Sequence, residues 1–177
     1  MKCIVNVTSD WGIGNGNKLL VNIPDDMKWF RTHTKDKIVI LGRKTLDSFP
    51  GGKPLKNRVN IVISKSRKGE VDGLEGETRL IYVDSVDAAL DMAHEIINDY
   101  WPDYTDDDVY VIGGESIYKA MLPFVNTAIV TRTSVMLPAD TYFPDLDTNE
   151  DWELTETSDE MEHEGIRFKF CTYKRKR

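Results

Sequence analysis

Five short, nearly unbroken apolar runs mark the first two thirds of the chain: Cys3–Val7, Lys37–Leu41, Val59–Ile63, Leu80–Val83 and Val109–Ile112. Continuous rather than alternating apolar character is the pattern of strands covered on both faces. Helical patterns stand near Pro24, Val86 and Ser116, and this alternation predicts a buried, mostly parallel sheet flanked by helices. The last third differs. Thr127–Ser134 and Ile166–Tyr173 are longer, and Arg167, Phe168, Lys169 and Phe170 alternate polar with apolar, which predicts an antiparallel hairpin or edge pair. No repeat is visible, and no Pro-, Ser- or Gly-rich linker divides the chain, so residues 1–177 are expected to form a single domain.

The sharpest local signal is a helix start. Pro24 suits the first helical position, where its missing N–H costs nothing, and Asp25 and Asp26 fall in the turn whose N–H groups are unpaired. At helical spacing Asp26 lies over Phe30, and Met27 over Phe30 and Arg31, so one carboxylate projects toward an apolar surface while Asp25 points elsewhere. Either Asp26 is a pocket acid that must neutralise or find a partner, or both acids simply complement the helix dipole.

Composition narrows the classes. A chain of 177 residues buries roughly 70% of its unfolded surface, enough for a core without disulfides. The net charge of −7 disfavours a nucleic-acid partner, which needs clustered cations. No apolar run approaches the roughly 20 residues of a membrane span, and the N-terminus reads as a strand rather than an export signal, so a cytoplasmic location is expected. Cys3 and Cys171 read as small buried hydrophobes, and His33, His94 and His163 lack companions at ligand spacing, so no metal is expected. The stretch from Asp99 to Asp108 combines five acids with three aromatics and is expected to be an exposed loop, its aromatics folded onto the adjacent helix.

Two strands run into glycine and then into a helix. Leu41-Gly42-Arg43-Lys44-Thr45 offers close backbone approach, free helical N–H groups and two cations; Ile112-Gly113-Gly114-Glu115-Ser116-Ile117-Tyr118 opens at the edge where α/β sheets bind ligands. Each alone is also explained by a tight turn. Together they suggest a dinucleotide. The glycine-rich stretch Trp11–Leu20 suits a lid or a plain crossover, and Arg58 could grip a carboxylate or face water.

In this order the motifs resemble dihydrofolate reductase nearly end to end. They are Ile4-Val5, Ile13-Gly14, Ile23-Pro24-Asp25-Asp26-Met27-Lys28-Trp29-Phe30, Gly42-Arg43-Lys44-Thr45, Ser48-Phe49, Asn57-Arg58, Val111-Ile112-Gly113-Gly114 and Ala139-Asp140-Thr141-Tyr142-Phe143-Pro144. The resemblance implies a three-layer α/β fold: an eight-stranded, mostly parallel sheet with an antiparallel C-terminal strand and about four flanking helices. It implies a monomer that uses NADPH to reduce dihydrofolate. By the same carry-over Asp26, Thr131 and Tyr118 are catalytic, and Ile4, Val5, Met27, Phe30, Phe49, Arg58 and Ile112 bind substrate alongside Asp26. Asn6, Ile13, Gly14, Leu19, Gly42, Arg43, Lys44, Thr45, Ser64, Lys65, Ile112, Gly113, Gly114, Glu115, Ser116, Ile117 and Tyr118 hold cofactor. Asp140 supports closure of the glycine-rich stretch from a distance.

The chain departs from the family pattern at two places. Val21 replaces the usual Trp, whose indole helps hold a water beside the pterin, and Asn6 replaces a common alanine. Two rival readings remain: a reductase of a riboflavin-pathway pyrimidine, and a nucleotide-binding module that no longer turns over.

Overall fold

The computed structural model describes all 177 residues. Its strands are β1 (Lys2–Val7), β2 (Gly12–Asn15), β3 (Lys18–Leu19), β4 (Ile38–Gly42), β5 (Val59–Ile63), β6 (Gly69–Val71), β7 (Arg79–Val83), β8 (Val109–Gly113), β9 (Thr127–Thr133), β10 (Thr141–Tyr142), β11 (Trp152–Thr157), β12 (Met161–His163) and β13 (Ile166–Arg175). Four helices accompany them: α1 (Pro24–Thr34), α2 (Arg43–Ser48), α3 (Val86–Asp99) and α4 (Glu115–Met121).

The main sheet runs β11-β13-β9-β1-β8-β4-β5-β7-β6, with β12 paired to β13. The run from β9 to β7 is parallel throughout, and the last strand, β13, lies antiparallel to β9. The sheet therefore has ten strands where eight were expected. The surplus lies at the margins: β6 is three residues long, and every residue of β11 after Trp152 is exposed. Such strands carry no apolar run, because no layer covers them.

Alternation along β1 divides the molecule. Cys3, Val5 and Val7 join a core with Ile38, Ile40, Ile61, Val111 and residues of α3 and α4, while Ile4 packs on the opposite face with Val39, Leu41, Ile112 and Leu46 of α2. Trp29 and Phe30 of α1 lean on that second face. A third cluster, Val21, Ile23 and Phe168, seals the entrance to α1. Pro24 opens α1 without a side-chain cap, and Asp25 and Asp26 occupy the first turn, as the sequence pattern requires.

The glycine-rich stretch is a hairpin, β2 with β3, to which β10 adds a third strand. Its tip is pinned. The Gly16 N–H donates to Asp140 at 2.9 Å, the Asp140 N–H donates to the Gly14 carbonyl at 3.0 Å, and Asn17 Nδ2 reaches the Lys44 carbonyl of α2 at 3.0 Å. Asp140 thus touches the hairpin directly.

The acidic stretch between α3 and β8 is well tied. Trp101 and Tyr104 meet at 4.6 Å with their planes tilted by 48° and pack on the core, while the Tyr104 hydroxyl donates to the Asp36 carbonyl at 2.7 Å. Thr105 and Asp108 form a reciprocal cap, and Lys37 pairs with Asp108 at 2.5 Å.

Candidate active site

Asp26 sits one turn into α1, on the face turned toward β1 and β9. Asn6 and Thr131 are register partners across those two parallel strands, so their side chains emerge side by side beneath the helix. Thr131 Oγ1 donates to Asp26 Oδ1 at 2.5 Å, and Asn6 Nδ2 donates to Oδ2 at 2.8 Å. Burial lifts the carboxyl above its ordinary range, and the two hydrogen bonds, Thr131's and Asn6's, pull it partly back. No cation neutralises it. The result is a carboxylate that is desolvated and oriented, with its neutral form favoured more than in an ordinary aspartate.

The apolar surroundings come mostly from strands. Ile4 and Ile112 are 4% and 8% exposed on the α1 face, and Phe30 and Phe49 pack against the same cluster. Met27 differs from expectation: it is 41% exposed and joins no apolar cluster, so it contributes little to drying Asp26. Val5 turns its side chain to the far face of the sheet. Trp29 stacks flat on Phe170 of β13, centroids 4.2 Å apart and planes 4° from parallel.

Arg58 lies just before β5 and is 8% exposed. Its Nε donates to Thr34 Oγ1 at 3.3 Å, and one terminal nitrogen donates to the Lys56 carbonyl at 2.8 Å. The end of α1 therefore braces the guanidinium, and the other terminal nitrogen has no protein partner. Burial lowers its pKa, with Asp36 opposing.

The two glycine junctions converge. β4 and β8 are neighbours, so α2 and α4 start side by side at their C-terminal ends, each without a side-chain cap at Gly42 or Gly114. A Cβ on Gly114 would stand 3.2 Å from Thr45 Oγ1, and one on Gly42 would meet Ile117 at 3.1 Å. Gly113 has φ +122° and the Tyr118 ring within 3.2 Å of where a Cβ would stand, so glycine is required there. Arg43, Lys44 and Lys65 are exposed around this junction, while Ser64 is 4% exposed. Ser66, which the sequence reading missed, bridges Ser64 at 3.3 Å and Arg43 at 3.5 Å. It lies in an irregular connection with no motif, so only the fold reveals it.

The remaining candidates are held by other partners or stand at the edge of this surface. Tyr118 is buried in the core, pushed well above its ordinary pKa by desolvation, and its hydroxyl donates to the Ile4 carbonyl at 2.7 Å. Glu115 accepts the Tyr142 N–H at 2.5 Å, tying α4 to β10. Leu19 stands 70% exposed on the hairpin, with Ile13 half-buried and Gly14 buried behind it; Ser116 is exposed. A separate recess of about 360 Å³ between β7 and α3, lined by Glu70, Tyr82 and Asp91 among others, includes none of the candidate residues.

Known proteins resemble this chain over nearly its whole length. The family model described as dihydrofolate reductase matches residues 1–175. Dihydrofolate reductase of Haemophilus influenzae is 32% identical over 175 residues, covering 97% of both chains, and that of Sus scrofa is 33% identical over 192 residues, covering 99% of this chain and 97% of its own. A bifunctional dihydrofolate reductase-thymidylate synthase of Arabidopsis thaliana is 31% identical, and this chain spans 34% of it. The chain belongs to the dihydrofolate reductase family, a family of oxidoreductases that use a nicotinamide cofactor.

Proposed function

We propose that this protein reduces 7,8-dihydrofolate to 5,6,7,8-tetrahydrofolate with NADPH, as a monomer of one domain acting on a free small molecule. The observation that carries the reading is the Asp26 carboxylate, half-buried without a cation and fixed by Thr131 and Asn6. A flat heterocycle with two adjacent N–H donors is the natural complement of an oriented carboxylate. Asp26 holds the pterin ring through such donors and assists protonation of N5.

NADPH supplies the hydride to C6 when bound. The residues present fit it. Uncapped helix starts at Gly42 and Gly114 leave N–H groups for a pyrophosphate, and Arg43, with Ser66 and the nearby lysines, gives charge-assisted contacts to a further phosphate. Each such contact is worth about 1.5–3 kcal/mol, so Arg43 favours NADPH over NADH by about tenfold or more. Ile4 and Ile112 offer carbonyls, the former already accepting from Tyr118. Arg58, braced by Thr34, presents its unused nitrogen to the substrate's glutamate carboxylate.

The test is a single assay with two substrates. Loss of NADPH absorbance with dihydrofolate, and none with the riboflavin-pathway pyrimidine, is expected. Turnover of the pyrimidine alone, or of neither, overturns the reading.

A further inference from the structure

Val21, three residues before α1, is 8% exposed in an apolar cluster with Ile23 and Phe168 and has no side-chain donor. The donor on the Oδ2 side of Asp26 comes instead from β1, from Asn6 between the apolar Val5 and Val7. A half-buried amide within that strand carries a desolvation cost that only a specific partner offsets. Its single side-chain hydrogen bond is the one to Asp26 Oδ2, at 2.8 Å.

We propose that Asn6 is a positioning residue for Asp26: its amide locks the plane of the carboxylate against Thr131 and favours the anion, supplying within the strand the donor that Val21 lacks. The claim rests on the reading of Asp26 as the substrate-binding acid. With Thr131 on one oxygen and Asn6 on the other, the carboxylate cannot rotate without breaking a bond. Each oxygen keeps a further lone pair for a substrate N–H. No other charged group acts on it. Asp25 lines a recess on the outer side of α1 with Lys28, and Arg132, next to Thr131, is taken up by Asp147 at 2.6 Å.

Asn6→Leu keeps the volume and removes the donor, whereas Asn6→Ala opens room for a water. Titration of the Asp26 carboxyl by ¹³C resonance in aspartate-labelled protein, assigned by its absence in Asp26→Asn, should rise by roughly one unit in Asn6→Leu. The rise should be smaller in Asn6→Ala. The pH profile of kcat/KM for dihydrofolate should move the same way, with KM raised about threefold to tenfold. Unmoved titration in variants that melt like the parent overturns the proposal. Were the titration to move in a protein that does not turn over dihydrofolate, the coupling would stand and the assigned reaction would fall.

Discussion

Two aspartates at opposite ends of the sheet show two ways of keeping a carboxylate in a folded protein. Asp108, at the N-terminal end of β8, meets the Lys37 ammonium and the Thr105 N–H; burial opposes ionisation there, but the lysine and the cap win, and its pKa falls. Asp26 meets only neutral donors, and burial wins, so its pKa rises. An ion pair fixes charge and makes it inert near neutral pH. Neutral donors fix geometry and leave the proton free to move. A site that must handle a proton uses the second arrangement, and a loop that must stay folded uses the first.

The largest expected effect breaks the first half of that contrast. Asp26→Asn should lower turnover of dihydrofolate at pH 7 by about 10² to 10⁴. The loss should shrink in acid, where solvent can protonate the substrate. Equal loss at all pH values would show that Asp26 serves only to orient. Thr131→Val removes one donor without charge. It should raise the Asp26 pKa further and lower kcat/KM near neutrality by about tenfold, as read from a pH series.

Stability sharpens the comparison. Because folding raises the Asp26 pKa above its ordinary 3.8, the native state holds more protons than the unfolded one just above that value, and stability falls as pH rises through the window. Asp26→Asn escapes this loss, since Asn6 can turn its amide to suit. The variant should melt higher than the parent at pH 7, with the gap closing below pH 3.8. Lys37→Met gives the smallest effect. Both partners are partly exposed, so about 0.5–1 kcal/mol is expected by denaturant titration, with turnover unchanged. Asp108's lowered pKa makes its share vanish as pH falls below its ordinary 3.8, and Lys37's raised pKa makes its share vanish above its ordinary 10.5.

The helix start at Pro24, the buried parallel strands and both glycine junctions were legible because each is written in consecutive residues. The missed strands are those whose partners lie far away. β2 and β3 look like a flexible glycine run until Asp140 and Thr141, more than a hundred residues on, pin them. β11 has a polar sequence because it is an exposed margin, held by β13 alone. The Asn6 contact was illegible for the same reason: two strands and a helix must assemble before its amide meets Asp26. Tyr118 is legible by its motif, but the bond from its hydroxyl to the Ile4 carbonyl, 114 residues away, is not.

The position of β13 bears on how the molecule is made. It lies between β9 and β11 and carries Phe170, the ring on which Trp29 of the acid-bearing helix rests. Of the thirteen strands it is the last to leave the ribosome, so a nascent chain holds α1 against an incomplete wall with β9 as an open margin. Competence for ligand therefore arrives only after synthesis has passed this strand, and a cut just ahead of Ile166 would cost the pocket rather than merely trim an end.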